Sequence, residues 1–224
     1  MAAVAPPPDD QPDTLFLSEL IAARLCHDLI SPLGAIGNGV ELLELSGSTS
    51  GPELQLMRDS AQQAQARIRL FRIAFGNVQP DQTIGAGELG AILRDYRAQL
   101  RFDLDWTPED VQPKRRVKLG LLALLCLENA LPYGGHVLCT LSDRGLQLVA
   151  RAEKPKIDTA LWAALAGTAH WPDDLRAAQV QFPMLAQATT AQGMRLDLTI
   201  LPNGVDMQIS ADCNDRHARG ATTR

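Results

Sequence analysis

Between residues 14 and 75 apolar side chains recur at helical spacing, in two runs split by a short glycine- and serine-rich interval. In the first run Ala22, Leu25, Leu29, Ile36, Val40 and Leu43 recur at steps of three and four residues and their sums, which predicts one long helix with a single apolar stripe. Asp13 and Thr14 stand ahead of it, where side-chain oxygens accept the first free backbone N–H groups. Gly47, Ser48, Ser50, Gly51 and Pro52 mark the turn that stops it. In the second run Leu54, Met57, Ala61, Ala64, Ile68, Phe71 and Phe75 alternate between the two step lengths, the spacing of a left-handed helical pair. Two helices joined by so short a turn must lie antiparallel. A lone hairpin of this length leaves much of each stripe wet, so the pattern predicts pairing with a second copy into a four-helix bundle.

The pattern loosens over residues 76–87, through Asn77, Pro80, Asp81 and Gly85, and a domain boundary is expected there. The predicted organisation is a disordered tail over residues 1–12, a helical hairpin over 13–77 and a second domain over 86–212. In that second domain residues 87–100 read as a helix, 101–106 alternate like a strand, and 113–131 form a helix opened by proline. Residues 136–141 and 146–152 read as a hairpin around Asp143, Arg144 and Gly145. Helices are expected near 158–166 and 174–188, then strands at 195–201 and 205–210 around Pro202, Asn203 and Gly204. This mixture predicts an α+β sandwich, one sheet covered by helices on one face.

Composition narrows the function classes. The 224 residues are 46% hydrophobic but only 4% aromatic, which suits one large soluble domain or two small ones. With 21 Lys+Arg against 26 Asp+Glu the net charge is -5, so nothing drives the chain as a whole toward nucleic acid or anionic membrane. The most apolar run, residues 119–127, falls short of the roughly 20 residues of a membrane helix. Residues 1–13 lack the basic and apolar regions of a signal peptide. Cys26, Cys126, Cys139 and Cys213 form no C-x-x-C pair, so a reducing cytoplasm is expected and structural zinc is not.

Candidate chemistry gathers on the first helix, in the run from Arg24 to Pro32. At about 100° per residue His27 points away from Leu25, Leu29 and Ile36. Leu20, Gly34 and Asn38 fall within about 20° of it, with Arg24 and Ser31 to one side and Ala23 and Ile30 to the other. Such a mixture of polar, small and apolar residues suits a docking surface. An exposed imidazole beside a carboxylate suits nucleophilic or acid/base work: if Asp28 or a backbone carbonyl holds Nδ1–H, the Nε2 lone pair is free to attack. The alternative is an ordinary surface His–Asp pair. Pro32 removes an intrahelical hydrogen bond and is expected to bend the helix one turn beyond the histidine. Gly34, Gly37 and Gly39 each cost a helix about 1 kcal/mol relative to alanine, which asks for close backbone approach or flexibility.

Other clusters are less telling. Arg58, Gln62, Gln65, Arg69 and Arg72 share a polar face of the second helix, either a grip for an acidic partner or a solvated face. Lys114, Arg115, Arg116 and Lys118 read as a wet helix start. His136, His170 and His217 have no ligand-like spacing, and Trp106, Trp162 and Trp171 read as core or interface residues.

The H-D-x-x-x-P pattern at His27, Asp28 and Pro32, on the first of two long helices ahead of an α+β domain, resembles the dimerisation and phosphotransfer module of sensor histidine kinases. The run from Arg24 to Gly34 with Asn38 to Leu43 is more specifically similar to the ChpT-type histidine phosphotransferases of two-component phosphorelays. The similarity extends from about residue 17 to 209. It implies a homodimeric four-helix bundle followed by a degenerate GHKL, or Bergerat-like, ATP-binding fold. His27 matches the phosphoacceptor, Asp28 its acidic neighbour and Pro32 the kink. Under this reading Arg24 and Ser31 contact phosphoryl or receiver oxygens, while Leu20, Ile30, Gly34 and Asn38 make room for a docking helix. The expected partners are the receiver domain of a hybrid histidine kinase and response-regulator receivers. Magnesium is expected on the receiver, and the chain is expected to bring no cofactor of its own.

The second domain departs from a working kinase. Residues 124–133 are similar to the N-box helix, with Asn129 matching its Asn-Ala step. Leu125 stands where a metal-binding asparagine is expected, and Pro132 replaces the usual lysine. Residues 153–158 hold the place of a D-x-G-x-G box without any glycine. The resemblance therefore implies a relay protein that no longer binds ATP. An ATP-dependent histidine kinase and a non-catalytic receiver-binding scaffold are the competing readings.

Overall fold

The computed structural model describes residues 12–46, 51–108, 110–142 and 145–211. Outside them lie the expected tail apart from Pro12, the turn residues 47–50, the hairpin residues Asp143 and Arg144, and also Cys213 and His217. Two long helices open the fold, α1 over Thr14–Ser46 and α2 over Pro52–Ala74. Asp13 starts α1 by accepting the Leu15 N–H at 3.3 Å, and Pro52 occupies the first turn of α2, where a missing N–H costs nothing. Helix α1 runs through Pro32 without a break. The two helices pack against one another, and at Gly39 a Cβ would run into Met57 Cγ and stand 2.8 Å from its Sδ. Gly34 and Gly37 have nothing within 4 Å of that position.

The expected stripe of α2 holds at Ala64 and Phe71, which are buried, but Ile68 is 48% exposed, while Ser60, Leu70 and Ala74, each one position before an expected residue, are buried. On α1 the expected Leu25, Leu29, Ile36 and Leu43 are half-buried, while Ala22 and Val40 are exposed. By length and composition α1 also passes for a membrane span, which the run at 119–127 did not foreshadow. It carries Glu19, Arg24, His27, Asp28, Glu41 and Glu44, and its Asp28 is ion-paired to α2.

The remaining elements are β1 (Thr83–Ile84), α3 (Ala86–Arg97), β2 (Asp103–Asp105), β3 (Gln112–Pro113), α4 (Lys114–Ala130), β4 (His136–Ser142), β5 (Gly145–Arg151), α5 (Thr159–Leu165), a 3-10 turn (Ala177–Gln179), α6 (Gln181–Ala191), β6 (Met194–Leu201) and β7 (Gly204–Ala211). Five strands form one sheet in the order β2-β4-β5-β7-β6, with β2 parallel to β4 and every other pair antiparallel. Register aligns the buried side chains: Val137, Ala150 and Val205 lie opposite one another, as do Cys139, Leu148 and Met207. Helix α4 covers this face with an unbroken buried run from Leu119 to Leu127, joined by α5 and α6. Each fully buried leucine there contributes about 2 kcal/mol.

One expected element needs correction. The helix expected over residues 174–188 is a 3-10 turn followed by α6 from Gln181, because Pro183 lacks an N–H and fits only the first turn of a helix. The short β1–β3 ladder, Thr83 opposite Pro113, went unseen because two-residue strands have no periodicity. The hairpin shares its core with the second domain: Leu17, Leu70, Phe71 and Ile73 pack in one cluster with Ile84, Leu89 and Tyr96.

Candidate functional site

His27 projects from the middle of α1 with 85% of its side chain exposed. Its Nδ1 lies 3.1 Å from Asp28 Oδ1. Asp28 itself is nearly covered, and its Oδ2 accepts from Arg24 Nε and from Arg67 Nη1, each at 2.9 Å. A carboxylate only accepts, so the His27 contact is a hydrogen bond when Nδ1 carries the proton. That tautomer leaves the Nε2 lone pair directed into solvent. Arg24 and Asp28 stand four positions apart on α1, the spacing that brings side chains of one face together.

Behind this pair the second domain supplies a brace. Arg24 Nη1 donates to the carbonyl of Ala178 in the 3-10 turn at 3.1 Å. The same oxygen accepts from Asn129 Nδ2 at 3.1 Å and Gln181 Nε2 at 2.9 Å. Arg67 Nε donates to Gln99 Oε1 at 3.1 Å, just beyond α3, and Gln99 Nε2 returns to the carbonyl of Gln63 at 3.1 Å. The Arg67 guanidinium also lies 5.6 Å from the ring centre of Tyr96, whose hydroxyl donates to Glu128. Burial, the largest influence, raises the Glu128 carboxyl pKa above its ordinary value, against the pull of the Tyr96 hydrogen bond and the Arg67 and Arg24 charges.

The expected site residues divide. Ser31 and Asp28 join His27 in lining an open recess of about 460 Å³, with Gln63, Arg67 and Gln99 also in its wall. Ile30, Gly34 and Asn38 are exposed on α1, as a docking face requires. Arg24 is a correction: it is 8% exposed and engaged with Asp28 and Ala178, so it faces no incoming group. Leu20 is half-buried against the core rather than open. Arg58, Gln62, Gln65, Arg69 and Arg72 are exposed along α2, Arg69 bound to Asp95 at 3.1 Å.

Sequence reasoning missed Arg67 and Gln99. Arg67 stands three residues after Ala64 and four before Phe71, within the buried stripe, and a charge at such a position signals a buried partner. Gln99 lies in a loop and carries no pattern. The segments similar to nucleotide-binding boxes serve structure here: Leu125 is 1% exposed in the core, Asn129 holds the Ala178 carbonyl, and Asp158 caps α5 by accepting the Leu161 N–H at 3.2 Å.

Residues 86–216, more than half of the chain, match the family described as the histidine phosphotransferase C-terminal domain. The protein phosphotransferase ChpT of Brucella abortus (strain 2308) is 38% identical over 125 residues, which are 55% of this chain and 59% of that one. The aligned stretch thus spans less than two thirds of that relative. A solved structure of a bacterial phosphotransferase superposes with a TM-score of 0.72 at 28% identity, over 89% of this chain and 98% of the other.

Proposed function

The chain belongs to the histidine phosphotransferases of the ChpT type, and from that membership we propose that it relays a phosphoryl group between receiver-domain aspartates through His27. One observation carries the reading: a nearly fully exposed imidazole whose Nδ1 is engaged by a buried, doubly paired carboxylate. In the first step the Nε2 lone pair attacks the phosphorus of a donor's aspartyl phosphate. The N–P bond forms while the P–O bond to the aspartate breaks, and that carboxylate leaves. The phosphorylated ring, still bearing Nδ1–H, gains a positive charge that Asp28 offsets. In the second step an acceptor carboxylate attacks the same phosphorus and the neutral imidazole leaves.

Ile30, Ser31, Gly34 and Asn38 form the face on which a receiver docks, the donor on a hybrid histidine kinase and the acceptors on response regulators. The receiver brings magnesium in its own acidic pocket, and this chain acts in the cytoplasm without a cofactor. Leu33 and Val40, 58% and 41% exposed beside the half-buried Leu29 and Ile36, are the positions a second copy covers to make a four-helix bundle. Incubation with a labelled, phosphorylated receiver and a second, unphosphorylated one tests the scheme. Label should reach the second receiver through an acid-labile intermediate; normal transfer by His27→Ala would end the proposal. Transfer only after addition of ATP would favour the kinase reading, and receiver binding without label on this chain would favour the scaffold.

A further inference from the structure

We propose that Arg67 is a positioning residue for this transfer: braced by Gln99, it fixes the Asp28 carboxylate so that Asp28 keeps the His27 proton on Nδ1 and leaves Nε2 as the nucleophile. The inference rests on His27 being the phosphoacceptor, and it gives the second domain a task in the chemistry.

Asp28 has two oxygens and three neighbours. Arg24 and Arg67 both donate to Oδ2 at 2.9 Å, which sets the plane of the carboxylate and leaves Oδ1 for the imidazole. With Arg24 alone, from the same helix, the carboxylate turns about its χ2, a broad torsion. Arg67 comes from the other helix and is itself held at a second N–H by Gln99, so rotation of Asp28 breaks a chain of bonds spanning α1, α2 and the end of α3. An arginine suits this task because its planar fork donates in two directions at once; a lysine keeps the charge but not the second bond.

Arg24 and Arg67 also offset the Asp28 charge: both guanidinium groups bond Oδ2, which leaves Oδ1 to the ring. The charged and titratable groups facing this centre are Arg24 and Asp28 from α1, Arg67 from α2, Tyr96 from α3 and Glu128 from α4. The 3-10 turn contributes only the neutral Ala178 carbonyl, and Gln99 is uncharged.

The test uses the full chain and needs no partner for its main readout. Long-range ¹H–¹⁵N correlation, at a pH above the titration of an ordinary histidine at about 6.5, reports which ring nitrogen of His27 carries the proton. The wild type should hold the Nδ1–H tautomer in excess. Arg67→Gln should move the ratio toward Nε2–H by about threefold or more, Arg67→Lys by less, and Gln99→Ala in the same direction. An unchanged tautomer ratio in folded Arg67→Gln overturns the inference; if that variant does not fold, an unchanged ratio in Gln99→Ala does so. Absence of transfer by the wild type would instead defeat the relay reading.

Discussion

A single carboxylate decides how the imidazole behaves. Asp28 is nearly covered, so its two guanidinium partners are paired largely out of water, where removing one charge strands the others. Asp28→Asn should therefore lower stability by about 3 kcal/mol in urea unfolding and reduce the rate of phosphoryl uptake by about tenfold or more. Glu128, one layer deeper, gives a pH signature. Burial raises its folded-state pKa above that of the unfolded chain, so its contribution to stability is full below the unfolded value and is lost as pH rises through the folded one. Glu128→Gln lacks that loss. Its stability relative to wild type should rise with pH across this window, read from urea midpoints at a series of pH values. His27 and Asp28 were legible because a motif names them and Ser31 because helical spacing sets it beside His27, whereas Arg67 was hidden because Ile68 was taken as the inward position in its place.

At the level of elements, long periodic helices were the clearest. Helices α1, α2, α3 and α4 and both hairpins fall within a few residues of their expected bounds, because caps, prolines and glycines agree with the apolar spacing. Element α6 was misplaced at its start, where the competing signal was Pro183. The glycines of α1 are of two kinds. Gly39 admits Met57, and Gly39→Ala should lower the melting temperature, since an inserted methyl group displaces that side chain at a cost of about 2 kcal/mol, more than the roughly 1 kcal/mol that alanine returns to the helix. Gly34 meets nothing in this chain, so Gly34→Ala should raise helix stability by up to about 1 kcal/mol. Because Gly34 shares the face of His27, the same variant should slow receiver transfer while stabilising the protein. A gain in stability with unaltered transfer would remove Gly34 from the docking face.

For the whole molecule, the linker after Ala74 marks where helix gives way to a different pattern, but the core runs on across it. Leu70, Ile73 and Ala74 pack with the second domain, and Lys118 Nζ donates to the Gly76 carbonyl at 2.9 Å across the join. No one-dimensional pattern announces such sharing, because periodicity shows which face is apolar and not what covers it. The isolated segment 13–77 should accordingly lose helicity at its second end, seen as reduced circular dichroism per residue relative to the intact chain. Through Ala178 and Gln99 the second domain holds the pair beside His27 in place. The proposed relay turns on one atom. Phosphorylating the ¹⁵N-labelled protein from a receiver and locating the new N–P bond by ³¹P and ¹⁵N NMR should place it on Nε2 of His27; a bond on Nδ1, or on any other residue, would contradict it.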